Sequence, residues 1–228
     1  TAVYIAAQSS SEVPDLTVSP TGRVESVGPA IYLTADFQDG GDWLNEGQIR
    51  APEGASTGGG IWLDAAIYLG RLTNTNLIEG RGTTGSQPEQ RQYHGLYIQE
   101  ASGIGDLTNS GTITSISGGD GIHVTSKYGA QYLYNDIGAT ISAVNQGSGI
   151  YTEGEFGPAT NLGNIRGAEH GISIAESGSW AILANLGEVS GGTGYDIYVA
   201  DRDPSGFPAM QVLLSAQSGL TYRGLLPG

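Results

Sequence analysis

The sequence predicts an all-β fold, a right-handed parallel β-helix, which is a solenoid of about seven coils. Three observations predict it. A motif recurs at intervals of roughly 25 residues, short segments alternate aliphatic side chains with other residues, and glycine is abundant. A coil of this size cannot bury its own apolar side, but stacking coils in parallel gives every strand a neighbour above and below.

Composition supports a folded, turn-rich chain. The 228 residues suit one domain or one solenoid, and a hydrophobic content of 38% argues against intrinsic disorder. The 38 glycines are too irregularly spaced for collagen, and nine prolines are too few. Glycine among β-branched residues therefore indicates tight turns between short strands.

The chain is strongly acidic, with a net charge of −14. Such a surface repels phosphate backbones and anionic lipids, so we expect neither nucleic-acid nor membrane-surface binding. The acidic residues either keep a β-rich surface soluble, or they bind divalent cations or adapt the protein to salt. The chain has no cysteine, which excludes disulfides and thiolate sites, and no apolar run long enough for a transmembrane helix. Because it begins at Thr1, we expect that a leader has been removed.

The repeat joins an Asn-x-Gly-x-Ile segment to a later Gly-Ile-aromatic-aliphatic step. Its clearest copy runs from Leu107 to Ile113 and continues at 121–124. Related copies occupy 43–49 with 60–63, 161–165 with 171–174, and 185–189 with 196–199; looser ones occupy 74–78 with 95–98, 135–141 with 149–151, and 16–33.

The spacing of the recurring asparagine separates bare coils from coils that carry loops. The intervals between Asn45, Asn74, Asn109, Asn135, Asn161 and Asn185 are 29, 35, 26, 26 and 24 residues. We expect the asparagines at turns, where Asn tolerates left-handed backbone and the following Gly takes positive φ, with their side chains stacked as a ladder. The predicted organisation is an N-terminal strand in 1–12, coils in 13–200, and a C-terminal loop and strand in 201–228 that act as a cap or subunit contact.

Two segments carry a family resemblance. Leu-Thr-Asn-Ser-Gly-Thr-Ile-Thr at 107–114 and Asn-Leu-Gly-Asn-Ile-Arg-Gly-Ala-Glu-His-Gly-Ile-Ser-Ile at 161–174 resemble coils of bacterial autotransporter passenger domains and of related pectin-lyase-like surface β-helices. The resemblance covers roughly 13–200 and is specific to architecture rather than to a function. It implies an exported solenoid that is extracellular or at the cell surface.

No catalytic residue is predicted. The basic residues are scattered, and none fall in register on neighbouring coils, whereas a polysaccharide lyase or hydrolase needs clustered charges facing the bond. His94, Asp120, Ser148 and His170 form one column before the Gly-Ile step. A catalytic triad needs histidine between acid and nucleophile, but here Asp120 would lie between His94 and Ser148.

The run containing Asp36, Asp39 and Asp42 is a candidate Ca²⁺ site, although it lacks the later bidentate Glu of the known calcium loop.

The strongest functional pattern is a predicted outward column on the second strand of each coil. Its candidate partner-binding residues are Tyr32, Trp62, Tyr97, His123, Tyr151 and Tyr198, with Ser173 between the last two. Adjacent strands lie ~4.8 Å apart, so the column would be on the order of 30 Å long. It is either a stack that only stabilises the sheet or an apolar, hydrogen-bonding strip that contacts another chain or sugar rings.

The ends suggest self-assembly. Val3, Tyr4 and Ile5 form one strand-like apolar segment, and Val212, Leu213 and Leu214 form another. Open strands at solenoid ends can pair with a neighbouring molecule and so produce a filament, unless the chain is a fragment of a longer passenger.

We therefore expect a non-enzymatic extracellular structural or adhesive β-helix, with itself or surface glycans and proteins as partners. The alternative is a carbohydrate-binding or polysaccharide-degrading β-helix.

Overall fold

The computed structural model describes residues 2–5, 13–34, 40–64, 66–82, 93–99, 101–116, 118–200, 211–215 and 221–223. They form a parallel β-solenoid of about six turns, which confirms the predicted fold class. No helix in these ranges is long and apolar enough to cross a membrane.

The strands are short and are numbered in chain order. The first nine are β1 (Val3–Ile5), β2 (Leu16–Val18), β3 (Arg23–Glu25), β4 (Ile31–Thr34), β5 (Asp42–Asn45), β6 (Gln48–Arg50), β7 (Gly58–Gly59), β8 (Ile61–Asp64) and β9 (Tyr68–Asn74). The next nine are β10 (Leu77–Arg81), β11 (Leu96–Ile98), β12 (Gly103–Asn109), β13 (Thr112–Ser115), β14 (Ile122–Val124), β15 (Ala130–Asn135), β16 (Thr140–Ala143), β17 (Ile150–Thr152) and β18 (Glu155–Phe156). The last nine are β19 (Ala159–Asn161), β20 (Asn164–Gly167), β21 (Ile172–Ile174), β22 (Ser179–Trp180), β23 (Ile182–Asn185), β24 (Glu188–Gly191), β25 (Ile197–Val199), β26 (Gln211–Ser215) and β27 (Tyr222–Arg223).

Three parallel sheets run along the solenoid, and each full coil adds one strand to each. Sheet A has the order β1-β4-β8-β11-β14-β17-β21-β25-β27, sheet B the order β2-β5-β9-β12-β15-β19-β23-β26, and sheet C the order β3-β6-β10-β13-β16-β20-β24. In addition, β7 pairs with β10 in the antiparallel direction, and β18 pairs with β22 apart from the three sheets. The repeated motif is therefore one passage through sheets B, C and A.

Inward aliphatic side chains form one continuous core. In β8, for example, Ile61 and Leu63 are buried while Trp62 between them is only half-buried. Like residues stack on like: Ile113 in sheet C lies between Ile78 and Ile141 of the neighbouring coils. The predicted alternation along the strands is confirmed, and it places every second side chain of sheet A on the outer surface.

A glycine precedes five of the sheet A strands, β8, β11, β14, β17 and β21, and close packing between coils requires it there. A Cβ on Gly121 would lie 2.6 Å from the carbonyl oxygen of Gly149, and a Cβ on Gly149 would lie 2.8 Å from that of Gly171. The Gly-Ile step of the repeat thus marks a point where successive coils approach too closely for a side chain.

The asparagines differ from expectation in their position but not in their stacking. They end the sheet B strands and are buried, instead of occupying exposed turns. Each Nδ2 donates to the Oδ1 of the next asparagine at 2.7–2.8 Å, from Asn45 through to Asn185. The predicted side-chain ladder is confirmed. The prediction of positive φ at the glycine two residues later is wrong for Gly111, where the carbonyl of Asn76 in the preceding coil leaves no room for a Cβ.

A second set of bonds anchors the asparagine ladder to sheet C. The other Nδ2 proton of Asn109 goes to the carbonyl of Thr140, and the pattern repeats along the ladder. At the N-terminal end the register places Val18 opposite Asn45. Among the described residues Asn45 Oδ1 consequently finds no donor, because valine has none to offer.

The two terminal segments predicted for self-assembly pair with the chain itself. Val3–Ile5 form β1 and pair with β4, so Tyr4 lies directly opposite Tyr32. Val212, Leu213 and Leu214 lie within β26, which pairs with β23. Within the described ranges, each of these strands has one paired edge, and its other edge is the end of its sheet.

Candidate functional site

The outer residues of sheet A lie in register, as predicted. The partners run Tyr32, Trp62, Tyr97, His123, Tyr151, Ser173 and Tyr198, one per coil. The register adds two members that the sequence did not assign to this row: Tyr4 precedes Tyr32, and Arg223 follows Tyr198. We call this row of nine side chains the aromatic column.

Neighbouring rings of the aromatic column contact one another. Ring centroids are 5.6 Å apart for Tyr4 and Tyr32, 4.8 Å for Tyr32 and Trp62, and 5.9 Å for Trp62 and Tyr97. The stack continues through His123 to Tyr151 at 5.2 and 4.8 Å. These are ordinary separations for stabilising ring pairs, so stacking accounts for part of the column.

The rings differ in how accessible they are. Tyr97 is only 6% exposed and Tyr4 is 60% exposed, while Tyr32, Trp62, His123, Tyr151 and Tyr198 are half-buried. The half-buried members and Tyr4 are therefore the rings that present surface to the solvent.

Hydrogen bonds fix the orientation of three rings. Tyr32 Oη donates to Asp64 at 2.7 Å, Tyr151 Oη donates to Glu153 at 2.8 Å, and Trp62 Nε1 donates to Gln99 at 3.3 Å. Burial and the adjacent carboxylates raise the pKa of both tyrosines. The hydroxyls thus stay protonated donors, and each carboxylate is held beside a ring.

A second column lies three residues before the aromatic column, and several of its side chains accept hydrogen bonds from backbone N–H groups. His94 Nδ1 accepts the N–H of Asp120 at 2.9 Å, and Asp120 Oδ1 accepts the N–H of Ser148 at 2.6 Å. His170 Nδ1 accepts the N–H of Tyr195 at 2.9 Å in the same way. The structure confirms the expected order, with Asp120 between His94 and Ser148. We call these five residues the turn column.

Burial controls the charge of His94. Burial lowers the pKa of His94 to about 3, together with repulsion from His123 and against the attraction of Asp120. Burial alone would raise the pKa of Asp120, but the bond from His123 Nδ1 at 2.7 Å and the neighbouring groups outweigh it and lower that pKa. A neutral His94 thus lies beside an ionised Asp120.

One cluster of side chains of the kind that bind metal ions lies beside the aromatic column. One ligand atom from each of His94, Asp120 and His123 lies within 4.8 Å of the others. His94 Nδ1, however, already accepts the backbone N–H of Asp120, so the neutral ring carries its proton on Nε2 and has no lone pair left for a metal. This donor set therefore fits a metal ion poorly.

Of the three calcium-site candidates, only Asp42 lies within the described residues. Asp36 and Asp39 lie outside the described residues. Asp42 is exposed, and its carboxylate lies 3.6 Å from Arg71 Nη1. Calcium binding in this run stays a prediction.

The aromatic column is interrupted at Ser173. Beside it lies a shallow depression with a volume of about 330 Å³, lined in part by Tyr151, Glu153, Glu169, His170 and Ser173. Beyond it a second stack begins, in which His170 lies 4.6 Å from Tyr198. Sequence reasoning noted the gap but missed Glu153 and Glu169. The only sign of these two glutamates in the sequence was that each lies a few residues from a residue of the aromatic column.

Comparisons of the chain with models of known protein families, with curated proteins and with solved structures give no match.

Proposed function

We propose that this chain is a non-enzymatic, extracellular structural or adhesive β-helix whose aromatic column is its contact surface. The observation that carries the proposal is the column itself, which puts five Tyr or Trp side chains in one line, with His123 and Ser173 among them and Tyr4 at its end. Tyr and Trp supply large contact areas at a small cost in side-chain entropy, and they are enriched where proteins bind one another.

One further feature supports a contact role. The Tyr32 and Tyr151 hydroxyls are paired with carboxylates, so the surface carries both apolar and hydrogen-bonding groups. The exported location follows from the resemblance of the repeats to passenger-type coils and is part of the same proposal.

The solenoid ends support self-association as the form of contact. In the part of the chain that the structure describes, sheet A ends at β1 and sheet B ends at β26, and a parallel edge without a further partner accepts another strand of the same direction. Contact between the N-terminal end of one molecule and the C-terminal end of the next is heterologous and does not close, so it produces a filament.

Light scattering and electron microscopy of the purified chain test the proposal. We expect particles larger than the 23.5 kDa monomer, and shorter ones once residues 1–8 are deleted. Trp62→Ser should weaken lateral association through the column, a contact separate from end-to-end stacking, because Trp62 is a half-buried ring in the middle of the column. Loss of its two ring contacts should cost about 1–3 kcal/mol of stability, so circular dichroism must confirm that the variant is folded.

Tyr134→Ser is the matched control, since Tyr134 is a half-buried outward aromatic residue on sheet B, away from the column. An equal effect of both substitutions would reject the column as the contact surface. A monomer under all conditions would reject self-association and leave a glycan array as the test of a surface partner. Release of reducing sugar ends from a polysaccharide would reject the non-enzymatic role.

A further inference from the structure

The break in the aromatic column is a built depression and not merely a missing ring. Ser173 lies in register between Tyr151 and Tyr198, and Ser148 occupies the adjacent position in the turn column. These two small side chains leave the volume of about 330 Å³ open at the surface of sheet A.

Ring systems form two walls of this depression. Tyr151 is stacked on His123 on one side at 4.8 Å and 30°, so its remaining face is directed towards the strand of Ser173. His170 also lines the depression, and its ring is nearly parallel to that of Tyr198, at 12°. Two ring walls favour a flat ligand.

The rim of the depression is negative. Asp120, Glu153 and Glu169 line it, and among the described lining residues there is no Lys or Arg. Glu153 is held beside the Tyr151 ring by the hydroxyl bond, and Glu169 is exposed. Together with the net charge of −14, these carboxylates favour a cation over an anion.

The chain itself provides a precedent for the kind of cation. Arg223 is the column residue that follows Tyr198, and its guanidinium carbon lies 5.8 Å from the ring centroids of both Tyr195 and Tyr198. A guanidinium group therefore already occupies one position on this surface through cation–π contact.

We propose that the depression at Ser173 binds the guanidinium group of an arginine side chain from a partner polypeptide. The inference rests on the proposed contact role of the column and names the chemistry of its partner. A guanidinium group is planar, stacks on aromatic faces and pairs with carboxylates through two N–H donors, whereas an ammonium group is a point charge. Tyr151 and His170 supply the faces, and Glu153 and Glu169 supply the carboxylates.

Titration of the protein with N-acetyl-arginine amide, followed by NMR, tests this. Its citrulline analogue has nearly the same shape without the charge, and its lysine analogue keeps the charge without the plane. We expect the arginine probe to bind with a dissociation constant on the order of millimolar, the citrulline probe to bind about tenfold more weakly, and the lysine probe about threefold more weakly. Binding of the arginine probe should also weaken as salt is added, because Glu153 and Glu169 are exposed.

Two variants and one control variant locate the site. Ser173→Tyr fills the depression and should abolish binding, while Thr160→Tyr adds the same ring on sheet B and should leave binding unchanged. The double variant Glu153→Gln with Glu169→Gln keeps both side-chain shapes and should weaken binding about fivefold.

Equal affinity for the arginine and citrulline probes, unchanged binding by Ser173→Tyr, or binding of neutral oligosaccharides in place of the arginine probe would each overturn the inference. These failures are separable from a failure of the proposed function. If the arginine probe does not bind but Trp62→Ser still weakens association, only the inference about arginine is rejected. If the probe binds but Trp62→Ser has no effect, the contact role of the wider column is rejected.

Discussion

Replacing Asn109 by leucine lowers the free energy of unfolding by about 3–5 kcal/mol, because it breaks the asparagine ladder in its middle. Asn109 accepts from Asn74 and donates to Asn135 Oδ1 and to the carbonyl of Thr140. Leucine has a similar volume but no polar atom, so these three groups lose a partner at a position with no exposed surface. Urea unfolding followed by circular dichroism measures the loss.

Thr108→Leu provides the control for Asn109→Leu. Thr108 is the preceding residue of the same strand, but it is only half-buried and points outward, so its replacement should change stability by about 0.5 kcal/mol or less. If Asn109→Leu costs no more than Thr108→Leu, the ladder does not stabilise the coils. The solenoid can lose cooperativity in the variant, so the unfolding slope must be compared as well.

Acidification from pH 7 to pH 5 should reduce the free energy of unfolding by about 2 kcal/mol through His94 alone. The folded-state pKa of His94 is about 3, below its ordinary value of 6.5. The unfolded chain therefore binds a proton in this range that the folded chain does not, and stability that is present at pH 7 is lost as the pH falls below 6.5. Asp120, whose pKa is lowered, adds its own loss only below about pH 4, where the unfolded carboxyl takes up a proton.

His94→Gln separates this effect from the titration of other groups. Its amide oxygen can accept the N–H of Asp120, and its side chain does not titrate. Urea unfolding of both proteins at pH 7 and pH 5 should show a loss in the variant that is smaller by about 2 kcal/mol. An identical loss in both proteins would mean that His94 is not held neutral by burial.

The sequence was sufficient to predict the coils and the aromatic column because both depend on local periodicity. Ile-Trp-Leu at 61–63 and Leu-Tyr-Ile at 96–98 each alternate, and once their coils stack, Trp62 and Tyr97 must be neighbours. The asparagine ladder also followed from the spacing. The burial of the asparagines could not be predicted. An Asn that favours a turn and an Asn whose buried amide hydrogen-bonds to two neighbouring coils look the same in the sequence.

The depression at Ser173 lay beyond sequence reasoning for a physical reason. Its floor and walls come from three coils, and its existence depends on the small volume of Ser148 and Ser173 in two adjacent columns. The neutral state of His94 depends in the same way on burial by residues distant in sequence. The additional column members Tyr4 and Arg223 could be recognised only from the pairing of β1 with β4 and of β27 with β25.

The central claim is that coils stack in one register, and disulfide trapping tests it most directly because the chain has no cysteine of its own. Thr73 and Thr108 are direct partners in sheet B, and Tyr134 lies one coil further on. Adjacent strands are ~4.8 Å apart, which suits a disulfide, whereas a separation of two strands, about 9.6 Å, does not. Under mild oxidation we expect mass spectrometry to find a disulfide within one chain for Thr73→Cys with Thr108→Cys, and none for Thr73→Cys with Tyr134→Cys. The reverse result would contradict the register on which the asparagine ladder and the aromatic column depend.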